Sequence, residues 1–187
     1  MQRRSSWLQL LALGALLLGL ACGPCNLLSA EVPTPPRPIA VSTESAAQLE
    51  SRIQQNLEGE PGGQFILHMS DEEVTSLVAT KLAGYDESPV TDPQIWFTKG
   101  KIYGTGRLTN VVPLETPFYV VTSTRIVDGQ VEVVVESVEA GAIPIPESVI
   151  DTLSQSVNET LQEMQLDIQV TAIEILEGEI VVQGVRQ

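Results

Sequence analysis

Ile143-Pro144-Ile145-Pro146-Glu147 opens a segment, residues 147–164, whose pattern predicts one long helix with a single apolar face. Pro146 suits a first helical turn, where its missing N–H would have no intrahelical partner. Glu147 then places negative charge near the positive end of the helix dipole. Apolar residues recur every three or four positions, at Val149, Ile150, Leu153, Val157, Leu161 and Met164. This spacing predicts a face buried against a sheet, either as ordinary core or as the lining of a groove for an apolar ligand.

Residues 1–21 have the pattern of an export signal. Arg3 and Arg4 form its charged start, and an apolar run of about 15 residues follows, shorter than the ~20 that a membrane-spanning helix needs. The run ends in Gly19-Leu20-Ala21-Cys22, which resembles a bacterial lipobox. We therefore expect Cys22 to be lipidated and to anchor the protein to a membrane; ordinary signal cleavage, giving a secreted protein, is the alternative. Either way the protein is expected outside the cytoplasm, as a cell-surface, periplasmic or secreted protein.

Cys22-Gly23-Pro24-Cys25 has the spacing of a thioredoxin-type redox dithiol. That chemistry requires a strand before the first cysteine and a helix that begins at it. Here an export signal precedes the motif and a proline-rich stretch follows it, so a redox role is not expected. Because these are the only two cysteines, the rest of the chain cannot use disulfides for stability.

The remaining chain divides into a proline-rich tether, residues 22–43, and a single domain, residues 44–187. The formal net charge of −14 repels phosphate backbones and anionic lipid head groups. Nucleic acid is therefore excluded as a partner, and any contact with lipid has to be apolar.

Two shorter helices are predicted in the first part of the domain. Ala46, Leu49, Ile53 and Leu57 mark the first, which glycine and proline end from Gly59 onward. A strand is predicted from Gln64 to His68. Ser70-Asp71-Glu72-Glu73 then has the pattern of a capping box and starts the second helix, with Val74, Leu77, Val78 and Leu82 on its apolar face.

The second half of the domain is rich in strands joined by short turns. Lys99-Gly100, Asp128-Gly129 and Glu177-Gly178 each separate two apolar-rich runs, which predicts three antiparallel hairpins. Alternation is clearest after Gly129, where valines at 131, 133 and 135 share one face. Gly104 and Gly106 share a face of their strand and indicate a bulge, a bend or a very close neighbour.

No motif for catalysis or metal binding is present. His68 is the only histidine, and no second histidine or domain cysteine could complete a transition-metal site. The three acids at 71–73 lack the spacing of a calcium loop and are typical of a helix start. A pair of carboxylates that meet only in space would leave no sequence motif, so a hydrolase remains a weaker alternative. We expect a non-enzymatic protein without a cofactor or metal.

The order of elements resembles a known group of proteins. Residues 141–153 read Gly-Ala-Ile-Pro-Ile-Pro-x-x-Val-Ile-x-x-Leu, and an Ile-x-Ile-Leu-x-Gly-x-Ile hairpin at residues 173–180 closes the chain. Over roughly residues 64–187 this is similar to bacterial extracytoplasmic proteins of the YpmS and LmeA-like groups, which are related in shape to TULIP-like lipid-binding domains. The resemblance implies a long helix gripped by a curved sheet, with an apolar cavity beside it.

Together these observations predict an α+β fold: a curved antiparallel sheet of about six or seven strands gripping a long helix in the C-terminal half, plus two shorter N-terminal helices. The expected function is a membrane-tethered extracytoplasmic domain that binds a lipid or another apolar small molecule. The predicted ligand-binding residues are Val149, Ile150, Leu153, Val157 and Leu161. The alternative is a structural or interaction module of the cell envelope with a solid core and no ligand.

Overall fold

The structure, a computed structural model, describes residues 35–84, 88, 90–109, 115–141, 154–155 and 168–187, and the single residues 151, 158 and 162. All of them belong to one compact unit. Its elements are, in chain order, α1 (Thr43–Leu57), β1 (Gln64–Ser70), α2 (Asp71–Ala83), β2 (Val90–Thr98), β3 (Lys101–Leu108), β4 (Thr116–Val127), β5 (Gln130–Ala140), β6 (Ile168–Ile175) and β7 (Glu179–Arg186).

The seven described strands form two antiparallel sheets. The three-stranded sheet has the order β1-β7-β6, and the four-stranded sheet has the order β2-β3-β4-β5. The three predicted hairpins, β2–β3, β4–β5 and β6–β7, are confirmed. In the first two turns both central residues have positive φ, from 52° to 80°, which is the geometry that matches the twist of hairpin strands.

The α+β class is confirmed, but the predicted arrangement is wrong. The described strands form two sheets instead of one curved sheet, and helices α1 and α2 are short, with 15 and 13 residues. Among the described residues no long helix is gripped by a sheet. The physical reason is that β1 pairs with β7, far along the chain, so the strands divide between two sheets. No local turn encodes that pairing.

The segment 147–164 is described only at five polar residues. Asp151, Ser154, Gln155, Asn158 and Gln162 each have helical conformation. The predicted ligand-binding residues Val149, Ile150, Leu153, Val157 and Leu161 lie outside the described residues, and so does Met164.

Helix α1 follows the predicted pattern. Ser42 is its N-cap and accepts a hydrogen bond from the Ser45 N–H. Ala46 and Leu49 are buried, and Ile53 continues the same face. The apolar spacing therefore identified the buried side of this helix correctly.

Helix α2 begins at the predicted capping box. The Ser70 hydroxyl accepts the Glu73 N–H, and the Glu73 carboxylate accepts the Ser70 N–H. Arg52 of α1 lies 2.8 Å from the same carboxylate, and its hydrogen bond holds the pKa of Glu73 below the ordinary value. The capping box is confirmed, and it also links the two helices.

The most deeply buried residues of α2 are polar. Thr75 and Ser76 are fully buried, whereas Val74 and Leu77 are only half-buried. The Thr75 hydroxyl donates to the Ile95 carbonyl and accepts the Ile95 N–H, both at 2.9 Å, on the edge strand β2. The Ser76 hydroxyl accepts the Ser42 N–H at 3.0 Å. These bonds fix α2 against β2 and against the start of α1.

The turn of one hairpin in each sheet bonds to the other sheet. The Val170 N–H, at a bulge in β6, donates to the Gly129 carbonyl in the β4–β5 turn at 2.6 Å. The Gly178 N–H, in the β6–β7 turn, donates to the Phe97 carbonyl of β2 at 2.9 Å. These two contacts hold the sheets at a fixed separation.

The predicted export signal, residues 1–21, and Cys22 lie outside the described residues. Of the predicted tether, residues 35–43 are described, and its last residue, Thr43, is already the first residue of α1. Ile39 within it is buried, and the Gln94 side chain bonds to both its main-chain N–H and its carbonyl. Neither helix in the described ranges has the length and apolar character needed to cross a bilayer.

Candidate functional site: an apolar cavity between the sheets

A cavity of about 380 Å³ is bordered by both helices and both sheets. Its described lining is apolar except for Asn56 and Thr124, and no charged side chain takes part in it. The lining residues are Leu49, Ile53, Asn56, Phe65, Leu67, Met69, Val74, Leu77, Ile95, Phe97, Ile102, Thr124, Val131, Val133, Ile168, Val170, Ile173, Ile180 and Val182.

Strand alternation explains the wall formed by the three-stranded sheet. Phe65, Leu67 and Met69 are alternate residues of β1, so they share one face. Leu67 and Met69 lie opposite Val182 and Ile180 of β7, which puts these cross-strand pairs on the same side. The result is a continuous aliphatic and aromatic surface on one face of this sheet.

The four-stranded sheet supplies the facing wall. Ile95 and Phe97 of β2 lie on the same face as Ile102 of β3, since Phe97 is paired with Ile102. Val131 and Val133 of β5 extend this wall, in agreement with the valine alternation seen in the sequence. Most of these side chains are β-branched or aromatic, the types that pack well on a pleated surface.

The glycines of β3 lie on this same face. A Cβ atom on Gly104 would lie 2.9 Å from Val120 Cγ1, and one on Gly106 would lie 2.9 Å from Phe118 Cε1. Val120 and Phe118 are the cross-strand partners of these glycines in β4, and the β3–β4 register runs without a bulge. In the β2–β3 pairing, however, the register shifts between Thr91 and Gln94, opposite Gly106. A very close neighbour is therefore observed at both glycines, and an irregularity of the partner strand β2 is observed beside Gly106.

Polar side chains close the edge of the sheet beside the cavity. The Asn158 carboxamide accepts the Val133 N–H at 2.7 Å and donates to the Val133 carbonyl at 2.8 Å. The Ser154 hydroxyl accepts the Val135 N–H at 3.3 Å. Because β5 is an edge strand of its sheet, its outward main-chain groups could pair with another strand. Asn158 and Ser154 form hydrogen bonds with these groups instead.

The opposite face of the four-stranded sheet carries an aromatic cluster. Trp96, Tyr103 and Tyr119 have ring centroids 5.5–6.3 Å apart, and Ile39 packs against Trp96 and Tyr119. Trp96 and Tyr119 are buried, and burial raises the pKa of the Tyr119 hydroxyl. This face is filled by large rings, in contrast to the cavity side.

The described residues contain no cluster of His, Cys, Asp and Glu suited to hold a metal ion. His68 is exposed at the surface, where its ring Nδ1 lies 2.8 Å from the Glu179 carboxylate. That the protein is non-enzymatic stays a prediction.

The cavity is lined in part by residues from the apolar faces that the sequence predicts for α2 and β5. Val74, Leu77, Val131 and Val133 were predicted to be buried, but nothing in their spacing distinguishes a residue that meets a neighbour from one that borders a void. The predicted site residues at 149–161 cannot be compared with it, because they lie outside the described part of the chain.

Comparisons of the chain with models of protein families, with curated proteins and with solved structures give no match. The resemblance to YpmS and LmeA-like proteins therefore stays a prediction.

Proposed function

We propose that this chain is an exported, membrane-tethered domain that binds an apolar or lipid-like ligand without chemical turnover. The observation that carries the proposal is the cavity of about 380 Å³ between the sheets. Its volume falls in the range of small-molecule sites, about 300–1,000 Å³. The described part of its lining has no charged side chain, which restricts the enclosed part of a ligand to hydrocarbon.

The apolar lining of the cavity favours an occupant because it otherwise faces water or open space. A ligand that fills the cavity would remove this lining from water, and its own hydrocarbon would gain about 0.8 kcal/mol per buried CH₂ group.

The size of the cavity suggests the size of the ligand. An engineered apolar cavity of about 150 Å³ accommodates benzene, which has six carbons. By this proportion a cavity of about 380 Å³ accommodates about 15 carbons. A single acyl or isoprenoid chain fits this volume, whereas a two-chain lipid would leave one chain outside.

In this proposal the tether is a lipid on Cys22 that keeps the domain near a membrane from which an apolar ligand can enter. The strong negative charge of the chain would disfavour adsorption to anionic lipid. The lipid anchor would therefore be what holds the domain at the membrane surface. The alternative function, an envelope module with a solid core, is disfavoured by the same cavity.

Ligand uptake by two matched variants tests the proposal. Leu77 lines the cavity, whereas its neighbour Val78 on the same helix is not part of the lining. We expect Leu77→Trp to reduce the binding of a fluorescent fatty acid about tenfold or more, because the indole occupies the ligand volume. Val78→Trp should bind as the wild type does.

Native mass spectrometry of protein purified from its host membrane supplies the second measurement. We expect a bound mass of a single-chain lipid in the wild type that is depleted in Leu77→Trp. Protein that is always ligand-free, together with no uptake of the fluorescent fatty acid, would disprove the proposed function.

A further inference from the structure

The described cations differ in whether they have an acidic partner. Of the eight described lysines and arginines, six lie within 3.8 Å of a carboxylate oxygen. Lys99 and Arg186 are the two without such a partner in the part of the chain that the structure describes. Lys99 is exposed in the β2–β3 turn, whereas Arg186 is half-buried at the end of β7. In a chain with 24 acids and 10 basic residues, a half-buried arginine without a carboxylate partner is unusual.

Arg186 lies next to a residue that lines the cavity. Its Nε donates to the main-chain carbonyl of Asn56 at 2.7 Å, and Asn56 is one of the two polar residues in the described cavity lining. The Asn56 carboxamide donates to the Arg52 carbonyl one turn earlier in α1, at 2.8 Å. The guanidinium group is thus in direct contact with a residue that borders the cavity on its α1 side.

The main chain around Arg186 leaves room for this placement. The Gly62 N–H donates to the Arg186 carbonyl at 2.8 Å, and the Arg186 N–H donates to the Gly63 carbonyl at 3.0 Å. The guanidinium lies over Gly59 and Gly63, where an added Cβ would clash with it, at 2.6 Å in the case of Gly59. Two glycines are needed for the side chain to occupy this position.

We propose that Arg186 binds the anionic head group of a single-chain amphiphile whose hydrocarbon chain occupies the cavity. This inference rests on the proposed function and adds the chemical class of the ligand, a carboxylate or a phosphate ester of one chain. Because Nε donates to Asn56, the head group would be bound by the two terminal amino groups of the guanidinium. A pair of such groups suits the oxygens of a carboxylate or a phosphate. The uncharged cavity interior and the adjacent cation together match a ligand that is apolar along its length and anionic at one end.

A purely structural role for Arg186 makes a different prediction. The Asn56 carbonyl belongs to the last turn of α1, where a cation stabilises the helix dipole. In that role Arg186 would affect the melting temperature but not the choice of head group. Arg186→Lys and Arg186→Gln both remove the guanidinium bond to Asn56, and only Lys keeps the positive charge, so the pair separates the two roles.

Titration of the full chain with three ligands of equal chain length tests the inference. The ligands are myristate, tetradecyl phosphate and tetradecanol, each measured by calorimetry at neutral pH against the wild type and both variants. We expect the wild type to bind the two anions about tenfold more tightly than the alcohol, the effect of one charge-assisted contact at a half-exposed site. Arg186→Gln should bind all three ligands with the affinity of the alcohol, and Arg186→Lys should keep part of the preference. The anion that binds the wild type more tightly identifies the chemical class of the head group.

The outcomes separate this inference from the proposed function. If tetradecanol binds the wild type as tightly as the anions do, or if Arg186→Gln keeps the preference, Arg186 is not the head-group site although the cavity still binds chains. If none of the three ligands binds, the proposed function itself is wrong. Melting temperatures of both variants should fall because both lose the hydrogen bond to Asn56, and that of Arg186→Gln should fall further because it also loses the cation at the end of α1.

Discussion

On one face of the four-stranded sheet, Trp96, Tyr103 and Tyr119 lie with their ring centroids 5.5–6.3 Å apart. On the other face, alternate residues of the same strands, such as Ile95 and Ile102, border a cavity of about 380 Å³. The two faces share one backbone and differ only in the side chains that alternate along it. Large flat rings fill the first face, whereas branched aliphatic chains reach only part of the distance to the opposing sheet. One face of this sheet is therefore filled by side chains, and the other borders open space.

Truncation of a side chain in the aromatic cluster should cause the largest loss in the free energy of unfolding. Trp96 is 4% exposed and contacts both tyrosines, so Trp96→Ala removes the centre of the cluster. We expect a loss of about 3–5 kcal/mol in the free energy of unfolding, the usual range for such truncations. Urea denaturation followed by circular dichroism measures it.

Ile102→Ala on the cavity side is the control for this experiment. Its side chain borders open space, so truncation forfeits fewer contacts and should cost less than half as much as Trp96→Ala. Equal losses for the two variants would mean that the two faces are packed alike.

Helix α2 also has both tightly bonded and cavity-lining residues, and here the tightly bonded residue is polar. Thr75 is fully buried and satisfies both main-chain groups of Ile95, while its neighbours Val74 and Leu77 border the cavity. Thr75→Val keeps the shape of the side chain but leaves the Ile95 N–H and carbonyl without their partner. We expect a loss of about 1–3 kcal/mol in the free energy of unfolding.

Thr80→Val is the matched control, because it makes the same chemical change at an exposed position of the same helix. It should change the free energy of unfolding by less than about 0.5 kcal/mol. A Thr75→Val variant as stable as Thr80→Val would show that the edge of β2 is held by other contacts.

The parts of the fold that the sequence predicted correctly are local. Asp128-Gly129 identified a hairpin because the backbone of that turn requires positive φ, and the capping box at Ser70 identified a helix start through groups three residues apart. The pairing of β1 with β7 could not be predicted in the same way, since Phe65 and Gly184 are neighbours only after the whole chain has folded. The error of assigning all strands to one curved sheet came from that missing contact.

The candidate site shows the same limit. Apolar spacing predicted that Leu77 and Val133 are buried, but a void depends on how far apart two sheets are held, and contacts such as Val170 to Gly129 set that distance. The burial of Thr75 had a signal in the sequence that was missed. Thr75 is three residues from Val78 and seven from Leu82, on the face assigned as apolar, so a small hydroxyl residue there indicated a side chain that bonds to a neighbouring backbone.

The smallest effect on stability is expected where a side chain is enlarged on the hollow side. Val133 borders the cavity, and its main-chain groups are bonded to Asn158, so Val133→Phe adds volume in open space without disturbing the edge of β5. We expect the free energy of unfolding to stay within about 0.5 kcal/mol of the wild type or to rise, because the ring fills part of a void. Val121→Phe makes the same change against the aromatic cluster and should cost about 1–3 kcal/mol, since the added atoms meet side chains that are already packed together. Urea denaturation of ligand-free protein compares the two variants. If Val133→Phe is destabilised as much as Val121→Phe, the space between the sheets does not accept four more carbon atoms, and a ligand of about 15 carbons could not enter it either.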